Sequence, residues 1–326
     1  MKPFKICFFR LHNSIGDVII SNFFVRELHK LTSQVNLTVV ASEPTDLLYR
    51  DNPRVQKIIT APAMSYPVGT ISKLKLNSNM LVELLKTLWK IRREHYDLLI
   101  TDFVWCPTWR NKLFFALCGA KRTILPIGKD TGTRRTYSYG TVLNELGLQH
   151  IDYTYEMFLS PQSREEATTF LQNHHLKPGF IILNPTGGQP ERVLSKPQIQ
   201  DILRICRNHY PQSPVVLLDY KNQYADFSSQ AVLCHFTNIL TVAALIEQAT
   251  SVITVDTSIL HIADVFQKPI LAFYASDSYS GNKNLRAYSS IQPSTIYLQS
   301  HDQVSDIPME QIEHAFKCFI DALPKG

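Results

Sequence analysis

The sequence predicts an α/β protein of two doubly wound, Rossmann-like halves, each built on a parallel sheet, and three observations carry that prediction. Short apolar runs of strand length alternate with stretches of helical spacing along nearly the whole chain, the signature of βαβ units. The alternation lapses over 126–160, where "PIGKDTGTRRTYSYGTVLNELGLQHIDYTYEMFLSP" reads as a loop-rich connection with a short helix, ending at Pro161. The length of 326 residues exceeds one ordinary core and suits two domains, placed at 1–160 and 161–326. Two domains imply a cleft between them.

In the first half, strands are predicted at "KICFFR", "NLTVVAS", "VQKIIT", "YDLLITD" and "KRTIL", all rich in the β-branched and aromatic residues that pack well on a pleated surface. Helices fall between them, near 17–31, 78–95 and 110–118. The helix at 78–95 has Ser78 as a cap candidate and puts Leu81, Leu84, Leu85, Leu88 and Trp89 on one face, which reads as core. Lys86, Lys90, Arg92 and Arg93 lie elsewhere on it. The second half resumes with strand "GFIILN", helix 196–209, strand "SPVVLLD", helix 241–249, strand "SVITVD", helix 258–266 and strand "PILAFY". A last helix, about 308–322, closes the chain and is expected to pack back toward the N-terminal domain.

Composition bounds the function class. Hydrophobic residues make up 44% and charged residues 19%, as in a soluble globular protein. No run approaches the roughly 18 apolar residues of a membrane span. The apolar patch before Arg10 is too short for a signal peptide, so a cytoplasmic protein is expected. Six cysteines are scattered without a CxxC pair, which predicts reduced, buried thiols and no metal site. Charge is uneven. Residues 1–160 hold 21 Lys and Arg against 13 Asp and Glu, and the remainder 12 against 15. The basic half points to an anionic partner, whether nucleic acid, membrane surface or phosphorylated substrate, or else to solvated faces with a chance imbalance. No nucleic-acid-binding motif is recognisable, so nucleic acid ranks last.

Ligands of doubly wound sheets bind beyond the carboxyl ends of the strands, and three such loops carry chemistry. The first, "RLHNSIGD", places Gly16 in a turn and Asp17 at or just inside a helix start, where exposed N–H groups stabilise a carboxylate. Asp17 is either a cap or a reacting group. The second, "NPTGGQPERVLSKPQ", offers Thr186, the N–H groups of Gly187 and Gly188, and the forked guanidinium of Arg192 to an anion. It has neither the GxxxxGK[ST] nor the GxGxxG spacing. The third, "VITVDTSILHIADVF", ends an apolar strand at Asp256 and opens a helix at Thr257 and Ser258, a natural phosphate seat, with His261 one turn in. The alternative is that Asp256 or Thr257 merely caps the helix and His261 is a buried, hydrogen-bonded histidine.

Together the motifs "RLHNSIGDVIISNFFVRELHK" and "VDTSILHIADVFQKPILAFYAS" resemble glycosyltransferase family 9, the ADP-heptose:lipopolysaccharide heptosyltransferases. Ser258 stands where the family commonly has Gly, and Arg192-Val193-Leu194 stands where it has a basic residue, one residue, then Trp. The resemblance implies a GT-B fold, with two Rossmann-like domains facing across a cleft. It also implies inverting, metal-independent transfer of a sugar from a nucleotide diphosphate, with ADP-heptose as the expected donor. The acceptor is then a lipopolysaccharide or lipooligosaccharide core or related glycan bound by the N-terminal domain, with peripheral contact at the cytoplasmic face of the inner membrane. By that resemblance Asp17 is the base. Thr186, Gly187, Gly188, Arg192, Asp256, Thr257, Ser258 and His261 hold the donor, and Arg10, His12, Asn13, Ser14, Arg134 and Arg135 meet the acceptor. No cofactor is expected. Rival readings are a transferase for another sugar, a nucleotide-sugar epimerase, or a non-catalytic nucleotide-sugar-binding partner in surface-polysaccharide assembly.

Overall fold

A computed structural model of the chain describes residues 2–10, 14–43, 45–61, 78–101, 109–124, 135–276 and 283–322. The chain divides into two compact units, Met1–Phe158 and Leu159–Gly326.

The first unit is a five-stranded sheet of β1 (Phe4–Arg10), β2 (Val35–Ser42), β3 (Lys57–Ala61), β4 (Leu98–Thr101) and β5 (Arg122–Ile124), in the order β3-β2-β1-β4-β5 with every pair parallel. Its helices are α1 (Ile15–Leu28), α2 (Leu47–Arg50), α3 (Ser78–Glu94), α4 (Trp109–Leu117) and α5 (Arg135–Glu145). The central position of β1 follows from its composition, since Ile6 to Phe9 are all buried, as a strand covered on both faces requires. Cys7 and Phe9 point into a cluster with Val40, Leu99, Ile91 and Phe115. Phe8 stacks on Phe24 of α1, ring centroids 5.2 Å apart. α1 is buried along almost its whole length, so it is an inner element rather than a surface helix.

The second unit contains β6 (Ile181–Asn184), β7 (Val215–Leu218), β8 (Val232–Cys234), β9 (Ser251–Val255), β10 (Ile270–Tyr274) and β11 (Ile296–Gln299), ordered β11-β10-β9-β6-β7-β8 and again all parallel. Helices α6 (Pro161–Asn173), α7 (Lys196–His209), α8 (Ile239–Gln248), α9 (Ser258–Val265), α10 (Lys283–Tyr288) and α11 (Met309–Ala322) accompany it. Alternate residues Ile181, Leu183, Ile253, Val255, Leu271 and Phe273 share one face with Ile199, Ile202 and Leu203 of α7 and Ile312, Phe316 and Phe319 of α11, the two-residue period of a strand. α11 packs on β10, β11 and α7 of its own unit. In both sheets the strand order reverses direction at the central pair, β1/β4 and β6/β9, which is where ligands of such sheets sit.

Six elements depart from the sequence reading, among them the short helices α2 and α10, which it did not contain. α6 begins at Pro161, where only the end of a connection was expected; Ser160 caps it and Pro161 occupies its first turn, the position that tolerates proline. β8 and β11 are sheet edges, mostly half-buried, so they lack the unbroken apolar run of the central strands. On α3 the predicted core face is rotated. Thr87 and Ile91 are buried and Leu88 packs against the core cluster, whereas Leu85 and Trp89 are exposed. The side chains of Leu81 and Leu84 lie outside the described residues.

Candidate functional site

Each unit carries its chemistry at the carboxyl ends of its central strands. In the first unit, Ser14 is the N-cap of α1, its Oγ accepting the Asp17 N–H at 3.4 Å and its carbonyl the Val18 N–H at 3.2 Å. The cap is therefore Ser14, which leaves the Asp17 carboxyl as a first-turn acid that the helix-end dipole favours. Asp17 is nine-tenths buried. Gly16 lies inside the first turn of α1 and not in a turn before it. Arg10, expected as an acceptor contact, is completely buried at the end of β1, so its guanidinium is an internal charge and not a surface one. His12, Asn13 and Arg134 lie outside the described residues. Arg135 is the first residue of α5, and its side chain lies outside them too.

The far end of α1 is laced to the segment that leaves the unit. Asn22 Nδ2 donates to the Glu156 carbonyl at 3.1 Å, and Arg26 donates to the carbonyls of Thr154 and Asp152 at 3.0 and 2.7 Å. Glu156 accepts further bonds from Arg26 and Arg54. Burial raises its carboxyl above the usual range, and the two arginines oppose that shift. The helix that presents Asp17 is thus pinned at its other end.

In the second unit the loop after β6 is a tight hairpin. Leu194 N–H donates to the Pro185 carbonyl at 2.9 Å, Gly187 N–H to the Arg192 carbonyl at 2.7 Å and Arg192 N–H to the Gln189 carbonyl at 3.0 Å. A Cβ on Gly187 would lie 2.6 Å from Arg192 Cβ and 2.7 Å from Arg192 O, whereas one on Gly188 would meet nothing within 4 Å. Gly187 is therefore required by close backbone approach, and its N–H closes the hairpin instead of facing an anion, a correction to the expected donor role. The hairpin is also tied down from outside, by the Val304 N–H to the Glu191 carbonyl at 2.8 Å.

This hairpin aims Arg192 at Asp256, Nη1 to Oδ2 2.9 Å, with the carboxylate side chain 6% exposed and the guanidinium 23% exposed. Asp256 thus orients Arg192, and the helix cap is Thr257, whose Oγ1 accepts the Ile259 N–H at 3.2 Å. The Leu260 N–H is taken by the Thr257 carbonyl. His261 is buried one turn in, Nδ1 3.8 Å from Asp264 Oδ2, beyond hydrogen-bond reach. Asp264 is instead held by the Ser290 hydroxyl and by the Ile291 N–H at 3.3 Å.

Two residues of this site escaped the sequence reading. Asn184, the last residue of β6, donates to Thr254 Oγ1 at 2.9 Å and to Thr257 Oγ1 at 3.0 Å, stitching the β6 and β9 ends together where the strand order reverses. A polar residue closing an otherwise apolar strand was the available signal. Tyr224 reaches from the loop after β7 to Thr186, hydroxyl to hydroxyl 2.6 Å, and nothing in the local sequence announces it. Burial raises the Tyr224 phenol above its ordinary value, and the hydrogen bond to Thr186 opposes that shift. Burial likewise raises Tyr274, behind Asp256, well above the tyrosine range. Among the described residues no cluster of three or more His, Cys, Asp or Glu could hold a metal ion.

Two doubly wound, parallel-sheet α/β units in one chain are the architecture of the GT-B fold. Residues 220–305 match the model of "Glycosyltransferase family 9 (heptosyltransferase)". An Escherichia coli (strain K12) protein named "Putative lipopolysaccharide heptosyltransferase 4" is 20% identical over 281 residues, 81% of this chain and 72% of that one. The family 9 glycosyl transferase structure from Veillonella parvula DSM 2008 superposes with a TM-score of 0.78 at 17% identity, covering 98% of both chains. E. coli ADP-heptose lps heptosyltransferase II gives 0.70 at 13% identity over 97% of this chain and 98% of that one. E. coli heptosyltransferase WaaC with ADP gives 0.68 at 11% identity over 96% and 99%. Residues 220–305, which contain the second of the two motifs, thus match the family 9 model, and the solved structures extend the likeness of fold to nearly the whole chain.

Proposed function

We propose that the protein transfers a heptose from ADP-heptose to a phosphorylated, anionic lipopolysaccharide core or related surface glycan, with inversion and without a metal. The observation that carries this reading is the Arg192–Asp256 pair beside the start of α9, in a unit whose residues 220–305 match the family 9 model. Inverting transfer makes few demands. A base must take the proton of the attacking hydroxyl, and fixed positive charge must receive the leaving diphosphate.

Asp17, as carboxylate, accepts the acceptor hydroxyl proton while that oxygen bonds to the anomeric carbon from the face opposite the leaving group. The bond from that carbon to the diphosphate oxygen breaks, and its electron pair leaves as nucleoside diphosphate. Arg192, the Ser258 N–H and the dipole of α9 receive the new charge, with His261 one turn behind. Asp256 keeps the Arg192 fork in place. The basic first half supplies favourable potential for an anionic acceptor, and the same charge supports peripheral contact with the cytoplasmic face of an inner membrane, each basic residue near anionic lipid contributing about 1 kcal/mol.

The test is a screen of ADP, UDP and GDP for thermal stabilisation, since a ligand that binds only the folded state raises the melting point by mass action. ADP is expected to stabilise most, and ADP-heptose is expected to be consumed only when a glycan acceptor is present. Stabilisation by UDP or GDP alone would reject the donor. Consumption without acceptor would point to an epimerase.

A further inference from the structure

We propose that the outer face of α3, with the adjoining surface of α4, docks the protein onto an anionic lipid bilayer. The inference gives the membrane contact of the proposed function a location, and rests on that reading. Of the seven large apolar or aromatic side chains exposed among the described residues, five lie on these two helices: Val82, Leu85 and Trp89 on α3, and Leu113 and Leu117 on α4. Trp89 is 58% exposed and Leu85 54%. Helical geometry explains how α3 can be apolar on two sides. At about 100° per residue, Leu88 and Ile91 define the inward direction, and Leu85, Trp89 and Val82 fall together on an arc about 60–120° away from Leu88.

That arc is bordered by positive charge on both sides. Arg92 flanks it toward α4, where its Nη1 donates to the Leu117 carbonyl at 2.9 Å, so the two helices present one surface. Arg93, Lys86 and Lys90 flank the other side, all exposed. The Arg93 guanidinium lies over the Trp89 ring, 4.4 Å from its centroid. One acid tempers this border, Glu83, which pairs with Lys86 at 2.6 Å; Glu94, the other acid of the helix, is engaged by Lys57.

An exposed apolar band edged by Lys and Arg, with an amphipathic Trp at its centre, matches the water–hydrocarbon boundary of a negatively charged membrane. It does not match a protein core, from which charge of one sign would be excluded. No helix among the described residues is long and apolar enough to span the membrane, so the contact is interfacial.

The test is co-sedimentation of the full chain with vesicles of phosphatidylethanolamine and phosphatidylglycerol, against vesicles of neutral phosphatidylcholine. Wild type is expected to bind the anionic vesicles and to be released by salt. Leu85→Ser with Trp89→Ser is expected to lower the partition about tenfold or more, since the side chains removed are those that would enter the apolar layer. Lys86→Gln with Lys90→Gln and Arg93→Gln is expected to lower it about fivefold per residue and to flatten the salt dependence. Unchanged melting points and circular dichroism in both variants establish that they are folded. If both bind like wild type, the membrane reading survives and this face is overturned. If wild type binds neither kind of vesicle, the membrane contact falls with it, while transfer to a soluble, deacylated glycan still tests the transferase reading. A wild-type dimer dissociated by the Leu85/Trp89 variant, without vesicle binding, would make the face an interface between copies and overturn the proposal.

Discussion

The two units obey the same topological rule and use it differently. In the second, the polar groups at the strand ends hold one another: Arg192 by Asp256, Thr257 by Asn184, Thr186 by Tyr224. In the first, a single carboxylate stands on the first turn of an inner helix whose opposite end is strapped by Arg26 and Asn22 to residues 152–156. Under the proposed function this contrast has a reason: a leaving diphosphate is chemically constant and suits a prebuilt cradle, while acceptors vary and suit a fixed reactive group with changeable loops around it. The family match, confined to 220–305, falls on the constant side.

The sharpest way to break this contrast is Asp17→Asn. Transfer is expected to fall by about 10²–10⁴-fold, the usual weight of a general base, with the ADP-induced rise in melting point unchanged. Unaltered turnover would return Asp17 to a purely structural role. Next comes Gly187→Ala beside Gly188→Ala. The first forces a methyl against the Arg192 backbone and is expected to cost about 1–3 kcal/mol of stability in denaturant titration, as overpacking does, and to weaken nucleotide binding. Its neighbour is expected to be neutral, and equal effects would refute the hairpin geometry.

Tyr224→Phe deletes the hydroxyl partner of Thr186 and is expected to cost about 1 kcal/mol, with donor affinity falling and turnover at saturation kept. The smallest effect concerns acid. The hydrogen bond from Lys121, reinforced by the Lys5 N–H, lowers the Asp97 carboxyl, and that from Lys57 lowers Glu94. Carboxyls lowered on folding contribute stability that is present above their unfolded values, near about 4, and lost as pH falls through the folded ones. Asp97→Asn is expected to lower the melting point slightly at neutral pH and to flatten the acid limb, the two profiles converging at low pH.

Most of the fold was legible because strands buried on both faces write themselves as unbroken apolar runs, as in β9 and β10, and because a cap such as Thr257 ahead of α9 is a local signal. The edges β8 and β11 were not, since half-buried edge strands lack that unbroken run. The site was half legible. Arg192 and Asp256 each stood out in a post-strand loop, though only the structure joins them, whereas the Thr186–Tyr224 bond joins residues 38 apart through packing alone. Gly187 was visible but misread: its composition suggested an anion loop, and its geometry makes it a spacer for Arg192. Trp89 misled in the other direction, because periodicity finds apolar faces without telling which of them meets the core.

The Arg192–Asp256 contact also shapes what the second unit looks like from a distance. A guanidinium and a carboxylate in contact carry no net charge, so the field they project into solvent falls off as that of a dipole, not of a lone cation. Stray phosphate far from the site feels little pull, and only a ligand close enough to share the fork at hydrogen-bond range meets its full strength. Under the proposed function, the attraction that gathers an anionic donor and acceptor then comes mainly from the first unit's surplus of basic residues, leaving the second to discriminate at contact.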